Sequence, residues 1–84
     1  MKVHKLKTDS EAFDAIWSGV KLAEFRFNDR GFKVGDRLAL LRQDTLGVLT
    51  GQSITCWVVH IQTGYGIPEG YVMMSFRVTS KLFS

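Results

Sequence analysis

One cysteine, Cys56, and one proline, Pro68, are all that this 84-residue chain carries of either residue. A lone cysteine excludes an intramolecular disulfide framework, so a domain this small must be held by packing alone, and a reducing, cytoplasmic setting is expected. Long apolar runs are missing too. Runs such as Leu38 to Leu41 and Cys56 to Val59 are four residues long, far short of the roughly 20 residues of a membrane-spanning helix or the apolar segment of a signal peptide. No membrane association is expected. Internal repeats, low-complexity tracts and Pro/Ser-rich linkers are absent, and residues 1–84 read as a single domain. Acidic residues number 8 against 11 basic ones, a net charge of +3. That balance favours anionic partners but lacks the dense Lys/Arg clustering of strong duplex-DNA binders.

What is present is globular composition, 45% apolar and 23% charged, and it divides into short elements. Val3 to Lys7 alternates in polarity and suits a first strand. Thr8 with Glu11 three positions on forms a capping box, which predicts a helix from about Asp9 to Ser18 with Phe13, Ile16 and Trp17 on one apolar stripe and Gly19 as its stop. From Leu22 the period becomes two: Ala23, Phe25 and Phe27 on one side, Leu22, Glu24 and Arg26 on the other. Asn28 to Gly31 and Val34-Gly35-Asp36 read as turns, and Arg37 to Arg42 as a third strand. Gln43 to Gly51 is a polar connection, Gln52 to Gln62 the clearest strand, and Gly64 to Gly70 a loop. Tyr71 to Val78 closes the set, with Val72, Met74, Phe76 and Val78 on one face. The expected fold class is mainly β (α+β), a small barrel of five to six strands with one or two short helices.

The segment from Gly19 to Arg26 is the most informative. Two apart on a strand, Glu24 and Arg26 project from one face roughly 6.6 Å apart, and Lys21 stands where helix gives way to strand. With Ala23, Phe25 and Phe27 on the opposite side, the charged face is expected to open to solvent or a cleft. A solvated salt-bridge cluster would show the same spacing, and such pairs contribute little to stability.

Gly19-x-Lys21-x-x-Glu24-x-Arg26 resembles the signature of ASCH domains, which share the PUA-like barrel. The likeness continues through Asn28-Asp29-Arg30, Phe32, Val34-Gly35-Asp36 and Gly70-Tyr71-Val72, and the whole is similar to a small ASCH-like family of bacteria and phages whose function is unassigned. The resemblance implies a cleft between helix and barrel, floored by Lys21, Glu24 and Arg26, with a role in binding RNA or a nucleoside or nucleotide. In such a cleft Arg26 would fork onto phosphate, Lys21 would supply a mobile charge, and Glu24 would accept from an exocyclic amine. Arg30, inside the matching run, joins the candidate ligand-binding residues. Tyr65 and Tyr71, flanking the Gly64 to Gly70 loop, are candidates for stacking a base, while Trp17 and Trp57 read as core.

An enzyme is the second reading. The fold is similar to small amidohydrolases that deacylate acetylcytidine, in which the same lysine works with a threonine at the position of Glu24. That threonine is missing, and although Lys21 and Glu24 could serve a hydrolase or a ribonuclease, a carboxylate does not reproduce a hydroxyl nucleophile. A third reading is a phage-type protein that binds a host protein through an apolar patch at Leu46 to Leu49 or Lys81 to Phe83. No cofactor is expected and no metal: Cys56 and His60 share a strand face but stand roughly 13 Å apart. His4 reads as a surface residue. The Gly64 to Gly70 loop lacks the ending of a phosphate loop, and the protein is expected to be a monomer.

Overall fold

Alternation sets the first strand. In β1 (Val3–Asp9) His4, Leu6 and Thr8 face inward while the residues between them are exposed. The structure is a computed structural model that describes residues 2–83. After β1 come α1 (Ser10–Trp17), β2 (Ala23–Phe27), β3 (Arg37–Gln43), β4 (Leu49–Gln62) and β5 (Tyr71–Leu82). The class is therefore mainly β with one short helix, as the sequence predicts. The five strands form one curled, half-barrel sheet in the order β1-β3-β4-β5-β2. β1 runs parallel to β3, and every other pair is antiparallel.

The helix starts one residue later than the capping-box reading has it. Asp9, not Thr8, is the N-cap: its Oδ1 accepts from the Ala12 amide at 2.9 Å. Thr8 stays in β1, buried, because the inward alternation of His4 and Leu6 continues through it. At the other end Ser18 caps, and Gly19 takes φ +85. That left-handed turn is open to glycine at little cost. It lets the amides of both Val20 and Lys21 donate to Ala15 O, at 3.0 and 3.1 Å. Phe13 and Ile16 are fully buried and Trp17 packs against their cluster, so the helix closes one end of the half-barrel against β1 and β3.

The core is one cluster: Leu6, Phe13, Ile16 and Phe32, joined by alternate residues of β3, β4 and β5. Val72, Met74 and Phe76 face inward together, with Val78 packed at the margin, as their period-two spacing predicts. β4 and β5 run longer than their apolar cores, to 14 and 12 residues. Register shifts at Thr55/Cys56 and Val58/His60 mark bulges that bend this pair. The second bulge reverses side-chain parity. Cys56 and Val58 are buried and His60 is exposed, so Cys56 and His60 do not share a face as the unbroken alternation predicts.

His4 is not a surface residue. Its Nε2 donates to Asp36 Oδ2 at 2.9 Å, both side chains are buried, and the Phe32 ring meets the imidazole edge-on at 4.8 Å. Asp36 also accepts from the amides of Lys2 and Lys33. The His4 hydrogen bond is the main cause, with the two amides, that holds the Asp36 carboxyl below its ordinary value against burial. One carboxylate thus fastens the start of β1 to the turn before β3.

Candidate functional site

β1 and β2 are the two edges of the sheet, and the curl brings them to face each other. Among the described residues no backbone ladder joins them. Arginine side chains bridge the gap instead: Arg26 Nη2 donates to Lys7 O and Arg30 Nη1 to Lys5 O, each at 2.7 Å. Carbonyls on an open edge invite pairing with another chain, and here guanidinium groups occupy two of them.

Beside Arg26 the seam widens into a cleft of about 410 Å³, walled by Lys7 to Asp9 of β1, Ala12 of α1, Gln43 of β3, and Lys21, Phe25, Glu24 and Arg26. This lies within the range of small-ligand sites, roughly 300–1,000 Å³. At its floor is Glu24. The strand turns opposite to the sequence expectation: Glu24 is 5% exposed, whereas Phe25 and Phe27 on the supposed core side are 44% and 54% exposed. The reason is partnership. A buried carboxylate must be paired, and Glu24 Oε2 accepts from Arg26 Nε at 3.0 Å and lies 2.9 Å from Nη2. The outward rings find each other instead, Phe25 stacked on Tyr71 at 5.2 Å and Phe27 edge-on to it at 5.3 Å.

Glu24 Oε1 faces a different situation. No hydrogen bond from a described residue reaches it, and Lys21 Nζ stands 3.9 Å away on a side chain that is 40% exposed. An acceptor in a walled cleft, with a movable ammonium beside it, suits a ligand that presents a donor next to an acceptor or an anion. Arg26 is less free than expected. Its Nε and Nη2 are held by Glu24 and Lys7 O, so its fork is committed to positioning the carboxylate rather than to phosphate.

The structure brings together Lys21, Glu24 and Arg26 and leaves the other candidates elsewhere. Arg30 sits on the seam and does not line the cleft. Tyr71 is on the outer face of the β2–β5 pair, back to back with Glu24, and Tyr65 is 95% exposed at φ +53 on the loop tip. Thr8 and Gln43 also line the cleft, which spacing along the chain does not indicate. Thr8 continues the inward series of His4 and Leu6 rather than capping the helix. Its hydroxyl donates to Leu6 O at 3.2 Å. Cys56 is closed to nucleophilic chemistry: burial, then the Glu24 charge, pushes its thiol up to about 12.

Among the described residues no cluster of His, Cys, Asp or Glu has the makings of a metal site, and no helix is long and apolar enough to cross a membrane. The two segments singled out for protein contact are exposed, Leu46 at 86% and Phe83 at 70%.

Residues 3–76 match the family described as a domain of unknown function, DUF3850. The chain is also 33% identical over 73 residues to the "uncharacterized 12.9 kDa protein in GpA 3′ region" of Escherichia phage P2, a match that covers 87% of this chain. It spans 66% of that relative, just under two thirds of its length. With nearly all of its strands and its helix inside the matched range, the chain belongs to the DUF3850 family.

Proposed function

We propose that the cleft between β1, α1 and β2 binds a nucleotide, either free or as an unpaired residue of RNA, and recognises the base by its exocyclic amine. The observation that carries this reading is the asymmetric Glu24 carboxylate, with Oε2 held by Arg26 and Oε1 turned to Lys21 without a donor of its own. Oε1 accepts the amine of cytosine, adenine or guanine. Lys21, on a side chain free to swing, meets the neighbouring carbonyl or a phosphate. The likeness of Gly19-x-Lys21-x-x-Glu24-x-Arg26 to ASCH domains supports a ligand site at the same residues. It does not choose between binding and turnover. A hydrolytic role is weaker because the one hydroxyl in the cleft, on Thr8, donates its hydrogen bond to Leu6 O and Glu24 is engaged by Arg26.

Isothermal titration with the nucleoside monophosphates tests the reading. Cytidine monophosphate should bind about ten-fold or more tightly than uridine monophosphate, the effect of one hydrogen bond to a charged acceptor. Glu24→Gln should erase the difference and Lys21→Ala should weaken both. Equal affinities for the two nucleotides in the native protein would remove the basis for base recognition by Glu24.

A further inference from the structure

Trp57 reads as core in the sequence but stands on the convex face of β4, 41% exposed. The register puts Arg37 of β3 directly opposite it on one side and Arg77 of β5 on the other. Such neighbours share a face about 5 Å apart. The Arg37 guanidinium lies 5.6 Å from the Trp57 ring centre. Among the described residues neither arginine has a carboxylate partner. β3, β4 and β5 contain no Asp or Glu, and Asp36, next to Arg37 in the chain, is buried against His4. Farther along β5 on the same face, six residues or about 20 Å away at strand rise, Tyr71 and Phe25 stack at 5.2 Å and are 36% and 44% exposed. Unpaired guanidinium groups flanking exposed rings on the middle strands of a sheet form a surface with two needs, a negative partner and something flat to cover the rings.

We infer that this convex face binds single-stranded nucleic acid, with a base stacked on Trp57, phosphates met by Arg37 and Arg77, and a further base on the Phe25–Tyr71 pair. Single strands answer both needs, because every base has a π face and every linkage a charge. An acidic peptide answers only one. The backbones of β3 and β4 are paired on both sides where Trp57 sits, so no open edge adjoins the ring for a peptide to add to as a strand; β5 pairs with β2 only as far as Ser75. In a duplex the bases are already stacked and out of reach. Trp57 faces outward on β4 and Glu24 inward on β2, so this surface and the cleft share only Phe25, which borders both.

Fluorescence anisotropy with a labelled single-stranded 12-mer of thymidine tests this. Thymine has no exocyclic amine, so this probe reports on the convex face and not on base recognition by Glu24. Trp57→Ala should weaken binding about five-fold or more, and Trp57→Phe, which keeps a ring, should stay within about two-fold. Arg37→Ala with Arg77→Ala should weaken it and reduce the slope of log K against log salt by about 1.4. Binding that survives Trp57→Ala unchanged in a folded protein would overturn the inference. So would competition by polyglutamate equal to that by unlabelled oligonucleotide, or sedimentation showing a native dimer that Trp57→Ala dissolves, because an acidic protein or a second copy would then be the occupant.

Discussion

Glu24 and Arg26 are two residues apart on β2, and the guanidinium folds back so that two of its nitrogens lie within 3.0 Å of one carboxylate oxygen. That contact makes a buried acid tolerable on an inward strand position, and it leaves the second oxygen facing the cleft. Arg26→Ala should therefore destabilise by about 2–4 kcal/mol, because it strands a buried charge and frees Lys7 O. Adding Glu24→Gln should recover part of the loss, which urea denaturation of the two variants would register. Equal midpoints for the single and double variants would mean that Arg26→Ala leaves no stranded charge at Glu24.

Asp36 gives the fold a pH dependence whose sign follows from its lowered pKa. The unfolded state binds the proton more readily, so the stability this group contributes is whole above its ordinary value of 3.8 and is lost as pH falls through the lower folded value. Asp36→Ala should remove that acid-side dependence and cost about 2–4 kcal/mol at neutral pH through the donors it leaves unpaired. Thermal melts from pH 2 to 7 would show the native slope below pH 4 and its loss in the variant.

Gly70 has a steric as well as a conformational reason to be glycine. It takes φ +84, and a Cβ there would meet Phe27 Cε1 at 3.0 Å. Gly70→Ala should cost about 1–3 kcal/mol. If the half-exposed Phe27 ring yields, the loss falls to the lower end and the Phe27–Tyr71 contact changes, visible as a shift in ring proton resonances. No loss of stability would show that the turn is not held in the left-handed region.

Cys56 should be silent in the folded state. With its thiol buried and pushed up to about 12, modification by an aromatic disulfide reagent at pH 8 should proceed only through unfolding and quicken with urea in step with the unfolded fraction. Rapid labelling without denaturant would place the thiol at the surface.

Much of this architecture is legible in the sequence because local rules and tertiary structure agree there. The apolar stripe of Phe13 and Ile16, the left-handed Gly19 and the alternation of Val72, Met74 and Phe76 each point to the element that forms. The failures share one cause, a side chain whose partner lies far away in the chain. Phe25 and Phe27 outrank Glu24 in hydrophobicity, yet Glu24 goes inward because Arg26 accompanies it. His4 is buried because Asp36, 32 residues on, accepts a hydrogen bond from its Nε2. Trp57 is outside because Arg37 and Arg77 arrive on neighbouring strands, and His60 leaves the face of Cys56 because a bulge intervenes. For the site, spacing alone gathered Lys21, Glu24 and Arg26. It gave no means of placing Thr8 and Gln43 beside them or Tyr71 behind them, since those positions depend on how the two sheet edges meet.

The most direct measurement is an amide-resolved NMR titration of the native protein with cytidine monophosphate, repeated with uridine monophosphate. The account predicts saturating shifts confined to residues 7–9, 21–26 and the neighbourhood of Gln43, markedly weaker with the uridine nucleotide and equally weak with both nucleotides in Glu24→Gln. Shifts that bypass those residues, or that persist unchanged when Glu24 is neutralised, would contradict it.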